Sequence, residues 1–146
     1  MHKSTKEKIN IEIKNIDNLI KEMEPLFLKI QSEDTFNSTE LYAAAAFLHS
    51  FYNGIEKILK IISKDHYSKN ITGKKWHKNL LLFAKDRILK KSSINLLEDY
   101  MGFRHFFRHA YTFQIKYKYI KKLIYPLQKR WENIKKEIRT FCKKKS

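Results

Sequence analysis

The decapeptide Gly102-Phe103-Arg104-His105-Phe106-Phe107-Arg108-His109-Ala110-Tyr111 holds two arginines, two histidines and a tyrosine, and no lysine. Elsewhere in this chain the positive charge is carried almost wholly by lysine, with further arginines only at Arg87, Arg130 and Arg139. Guanidinium groups grip phosphate oxygens in a fork that a lysine cannot reproduce. An imidazole, with an ordinary pKa near 6.5, can take or give a proton at neutral pH. Together these groups can hold a phosphodiester and move protons around it. On a helix, at about 100° per residue, Phe103, Phe106, Phe107 and Ala110 fall on one arc. Arg104, His105, Arg108, His109 and Tyr111 fall on the opposite one, forming a compact cationic patch. His105 and His109 also have the i, i+4 spacing of a metal pair. The glutamate of an HExxH motif is absent, however, and the neighbouring arginines would repel a cation, so no metal site is expected.

A plainer reading of the decapeptide is the wet face of a basic amphipathic helix. The absence of lysine counts against it, since a generic solvated face in this protein would be lysine-rich. The net charge of +16 has the same two readings. Lysines near phosphates release counterions and add sequence-independent affinity for nucleic acid, but a genome rich in A/T codons produces a solvated lysine surface with no such role.

The elements that must carry this patch follow from apolar spacing. Ile9, Ile13, Ile16, Ile20, Met23, Phe27 and Ile30 lie on one helical stripe, predicting a first helix from near Thr5 to Ile30, bent at Pro25. A polar stretch over residues 31–37 leads to a second helix with Ser38 or Thr39 as N-cap and Leu41, Ala45, Leu48, Tyr52, Ile55, Leu59 and Ile62 inward. Residues 63–75 are polar, contain Gly73 and read as a connection. A third helix over residues 75–90 turns Trp76, Leu80, Ala84 and Ile88 inward. Ser92 or Ser93 caps a fourth, which begins with Ile94, Leu97, Met101 and Phe103. From Tyr117 to Phe141 the spacing continues through Pro126, as one kinked helix or two abutting ones. With three glycines and two prolines, the chain lacks the turns of a β-sandwich. It is expected to be all-α: an antiparallel bundle of four to five helices.

Length predicts one domain over residues 1–146. The single cysteine, Cys142, leaves no partner for an intramolecular disulfide and suits a reducing cytosol. Residues 1–10 lack an apolar signal core, and no stretch has the apolar length of a bilayer span, so neither secretion nor membrane insertion is expected.

The pattern Arg-x4-His-x-Tyr, read as Arg104, His109 and Tyr111, resembles the signature of the HepT toxins of the HEPN (higher eukaryotes and prokaryotes nucleotide-binding) superfamily. The string Phe-Arg-His-Phe-Phe-Arg-His-Ala-Tyr is similar to one HepT-like subfamily. So are His49-Ser50-Phe51-Tyr52-Asn53-Gly54-Ile55-Glu56 and Trp76-His77-Lys78-Asn79-Leu80-Leu81. The three blocks stand in family order, and the resemblance covers roughly residues 41–127. The resemblance implies a HEPN-like bundle that dimerises and brings two Arg-x4-His motifs into one cleft. There it would cut RNA without metal or cofactor, as the toxin of a cytoplasmic toxin-antitoxin pair. Arg104 and His109 would be catalytic, His105 and Arg108 would bind substrate, and a nucleotidyltransferase antitoxin would silence the protein by AMPylating Tyr111. The commoner HepT branch has asparagine after the motif arginine; His105 stands there in this chain.

His109 would take the ribose 2′-hydroxyl proton while Arg104 binds the phosphate oxygens, giving 2′,3′-cyclic phosphate ends. For the leaving oxygen the second copy's His109 or His105 is the candidate acid. Glu56, expected to face Arg104 or Arg108, reads as a helix-to-helix contact, His77 as a contact at the start of the third helix, and Asp99 as an ion-pair partner of an arginine about one turn on. Two other classes fit the same residues: a HEPN-like module that binds RNA or a nucleotidyltransferase without cutting, and a structural helical subunit with a basic surface.

Overall fold

The protein is described by a computed structural model covering residues 1–32 and 35–146. It is helical, with no strand among the described residues: α1 Lys3–Glu22, α2 Glu24–Gln31, α3 Ser38–Ile61, α4 Trp76–Ala84, α5 Lys91–His109, α6 Tyr117–Ile124 and α7 Leu127–Lys144. Counting α1/α2 and α6/α7 each as one broken helix recovers the expected bundle of five.

The breaks have local causes. Pro25 sits in the first turn of α2, where its missing N–H costs nothing, and the chain bends two residues earlier, at Met23. Pro126 in the same way is the residue from which α7 starts. In between, α3 is capped by neither predicted residue, Ser38 or Thr39. Asn37 is its N-cap, because its Oδ1 accepts the Glu40 N–H at 2.8 Å while the Glu40 carboxylate accepts the Asn37 N–H at 2.9 Å. That reciprocal pair satisfies two donors at once. The predicted polar stretch before it also carries Phe36, which is buried against Tyr117; Glu33 and Asp34 of that stretch lie outside the described residues. Beyond Ile61, α3 runs on into a π-helical turn, Ile62–His66, shortening the predicted connection.

At the other end of the predicted third helix, Ala84 closes α4 and a tight turn through Asp86, at φ 64°, leads to α5. Neither Ser92 nor Ser93 caps α5; Lys90 does so with its backbone. The carboxylate of Glu137, from α7, accepts the Lys90 N–H at 2.7 Å and the Ser93 hydroxyl at 2.5 Å. An acid from another helix thus does the work a local cap does elsewhere.

α3 is the central element, packed by α1, α4, α5 and α6. Along it Ala44, Ala45, Phe47, Leu48, Phe51, Ile55, Ile58 and Leu59 are buried, meeting Ile9, Ile13 and Ile16 of α1 and Leu97, Tyr100 and Phe103 of α5. Burying each large apolar side chain contributes about 1.5–3 kcal/mol, so the helix that carries the decapeptide is fixed chiefly by its inner face. α1 approaches α3 closely at Gly54, where an added Cβ would stand 2.7 Å from Ile16 Cγ1. No helix among the described residues is long and apolar enough to cross a membrane.

Candidate active site around Arg104

The inner arc of the decapeptide packs as the helical spacing requires. Phe103 is fully buried, and Phe106 and Phe107 lie half-buried against the core. Phe107 meets the rings of Tyr42 and His49 on α3, while Phe103 and Phe106 meet Tyr119 on α6. These aromatic contacts fix the rotation of α5, and with it the direction of every polar side chain on the helix.

Arg104 is not on a fully wet face. Half-buried, it reaches two other helices: Nε donates to Asn53 Oδ1 of α3 at 2.9 Å, and Nη1 lies 3.4 Å from His77 Nε2 of α4. His77 Nδ1 in turn lies 2.6 Å from Glu56 Oε2. The side chain of Glu56 is 4% exposed and that of His77 is 20% exposed. A guanidinium has only donors, so the imidazole edge it faces presents a lone pair. His77 therefore carries its proton on Nδ1 and donates it to Glu56. The Trp76 ring lies 3.6 Å from the His77 ring, centroid to centroid, and Lys60 Nζ lies 4.4 Å over Trp76.

The predicted contact between Glu56 and an arginine is thus replaced by a contact with His77, and no carboxylate ion-pairs with Arg104 or with Asp99's predicted partners among the described residues. Two more α3 side chains complete the cluster. Tyr52 is buried, and burial together with the adjacent Glu56 charge raises its phenol far above the usual range, keeping it neutral. His49 is held below its ordinary pKa, first by burial and then by the positive charges of Arg104 and Arg108. Its Nδ1 is buried with no hydrogen-bond partner among the described residues.

The outer residues of the patch separate from Arg104. His105, Arg108 and His109 are exposed on the last turns of α5, where Arg108 and His109 also suit the negative end of the helix dipole. The rings of His105 and His109 meet edge to face, 5.0 Å apart. The helix stops at His109, however, and Ala110 is extended, so Tyr111 does not share the helical arc predicted for it. Tyr111 is 70% exposed. Its N–H donates to Gln114 Oε1 at 2.7 Å, and its ring stacks on the exposed ring of Phe113.

A family model for HepT-like proteins matches residues 43–145, which take in α3 from its second turn, α4 to α7 and every residue of this cluster. The chain belongs to the HepT-like family. No curated protein and no solved structure matches it.

Within this HepT-like protein the residues singled out from sequence divide into two groups. Arg104 stands with Asn53, Glu56 and His77, on three helices; His105, Arg108, His109 and Tyr111 form an exposed rim at and beyond the end of α5. Sequence reasoning gave Asn53 no role and treated His77 as a local contact. The available signal was the spacing of His49, Asn53 and Glu56, which puts three polar side chains on adjoining turns of an otherwise apolar helix. A cleft of about 690 Å³ between the start of α5 and α7 shares no residue with this cluster. No group of three or more His, Cys, Asp or Glu residues among those described is placed to hold a metal ion.

Proposed function

We propose that this HepT-like chain is a metal-independent endoribonuclease, the toxin of a toxin-antitoxin pair, and that it acts as a homodimer silenced by AMPylation of Tyr111. The observation that carries the reading is the state of Arg104: a half-buried guanidinium, oriented by Asn53 and His77, that ion-pairs with no carboxylate among the described residues. A buried charge without a counterion is costly. A phosphodiester supplies that counterion, and because the guanidinium is already aimed, little reorganisation accompanies binding.

In this reading Arg104 holds the non-bridging oxygens of the scissile phosphate. His109 takes the proton of the ribose 2′-hydroxyl, and His105 and Arg108 bind flanking phosphates. Arg104 and His109 sit about 140° apart on the unbroken α5, so one chain does not aim both at one phosphate. A second copy supplies the missing histidine, which makes dimerisation part of catalysis. Tyr111, exposed beside His109, is open to a nucleotidyltransferase antitoxin, and an added AMP places bulk and negative charge where RNA would lie.

Arg104→Ala and His109→Ala should each abolish RNA cleavage and growth inhibition while keeping the helical circular dichroism of the wild type. Products should end in 2′,3′-cyclic phosphate; 3′-hydroxyl ends overturn this chemistry. The 140° divergence also favours a second reading, a binding module that contacts RNA or a nucleotidyltransferase and cuts neither. RNA retention without cleavage by the purified dimer would select it.

A further inference from the structure

Cleavage by 2′-oxygen attack needs an acid for the departing 5′-oxygen, and the proposed chemistry does not yet name one within the chain. We infer that His77, braced by Glu56, is that acid. The inference rests on the reading of Arg104 as the residue that holds the scissile phosphate.

Position comes first. His77 Nε2 lies 3.4 Å from Arg104 Nη1, so an oxygen bound at that edge of the guanidinium is within hydrogen-bond reach of the imidazole. Orientation is fixed on two further sides. Glu56 holds Nδ1 at 2.6 Å, and Trp76 covers a face of the ring, so Nε2 can be aimed only towards Arg104. The charges around the ring are Glu56 and Lys60 from α3, the latter across Trp76, and Arg104 from α5. A buried carboxylate behind an imidazole stabilises the imidazolium, as in nucleophile triads. A phosphodiester on Arg104 adds a second negative charge, and the ring can then carry a proton on both nitrogens.

The step balances. The 2′-hydroxyl proton passes to His109 as the 2′-oxygen bonds to phosphorus. The bond from phosphorus to the 5′-oxygen breaks, its electron pair stays on that oxygen, and the oxygen takes the Nε2 proton of His77. Glu56 remains ionised throughout. His77 is left neutral with its proton on Nδ1, which is the tautomer the free protein holds, and it regains its second proton from water.

The test compares two RNA oligonucleotides of one cleaved sequence, one natural and one with sulfur in place of the 5′-bridging oxygen, whose thiolate leaves without protonation. His77→Asn, which keeps a donor for Glu56, should slow cleavage of natural RNA by about 10²-fold or more and cut the sulfur substrate at nearly the wild-type rate. His109→Asn should slow both. Equal slowing of both substrates by His77→Asn, or no slowing of either, overturns the assignment while leaving Arg104 and His109 in place. Wild-type protein that cuts neither substrate removes the underlying nuclease reading as well. His77→Gln repeats the comparison should the asparagine variant unfold, and failure of both to fold makes His77 a core residue and also overturns the inference.

Discussion

Arg104 of α5 is held by Asn53 of α3: guanidinium Nε and amide oxygen meet at 2.9 Å. The two are 51 residues apart in sequence, and the bond sets the plane in which the guanidinium can meet a phosphate. Asn53→Ala should therefore lower the initial rate of RNA cleavage by about 10-fold to 10²-fold through misplacement alone. Its melting temperature should stay close to that of the wild type. Asn53→Asp should be at least as impaired and no less stable, since the new carboxylate ion-pairs with Arg104 and competes with phosphate. An Asn53→Ala enzyme at full rate would show that Arg104 needs no support from α3.

Tyr111 extends into solvent from a segment that has already left α5. Tyr111→Phe should keep the RNA-cleaving activity and escape silencing. Mass spectrometry after incubation with a candidate nucleotidyltransferase antitoxin and ATP should find AMP on the wild type and none on the variant. Equal modification of both would place the acceptor elsewhere.

In the folded protein burial, and then the charges of Arg104 and Arg108, hold the pKa of His49 below its ordinary value. Unfolding returns it to an ordinary imidazole, with a pKa near 6.5. Below that value the unfolded chain binds the extra proton, so stability falls as pH falls, and above it His49 adds no pH dependence. The melting temperature of the wild type should drop between pH 7.5 and pH 5.0, and the drop should be smaller in His49→Leu. Identical drops would show that His49 does not titrate with folding.

Gly54 lets α1 lie close against α3. In Gly54→Ala the new methyl would meet Ile16 Cγ1 at 2.7 Å and Cδ1 at 2.9 Å, and Ile16 is itself buried with nowhere to turn. Overpacking of this kind costs about 1–3 kcal/mol, which outweighs the helix-propensity gain of about 1 kcal/mol from replacing glycine. Urea denaturation should show a lower midpoint. A raised midpoint would mean that the two helices can move apart freely.

Apolar spacing was enough to find the helices because each buried stripe, such as Ile9, Ile13 and Ile16, is a local property of one helix. It also put Phe103 inward correctly. The partners of Arg104 were out of reach for the opposite reason. Asn53, Glu56 and His77 come to it from two other helices, and nothing in the residues themselves says which helices cross, or at what rotation. The end of α5 was hidden for a related reason. No glycine or proline follows His109 before Lys116, and the stop coincides with the burial of Ile115 in the core and with a local bond in which Gln114 Oε1 accepts the Tyr111 N–H. Ser92 and Ser93 were plausible caps for α5, but the Glu137 carboxylate that takes the role is 47 residues from the Lys90 N–H it accepts.

That distant carboxylate has a bearing on how the protein is made. The helix carrying the arginine-histidine motif is synthesised before Glu137, so until α7 follows, its first turn lacks the acceptor that finishes it. Only when α7 has been synthesised and has docked can the motif helix reach its complete form.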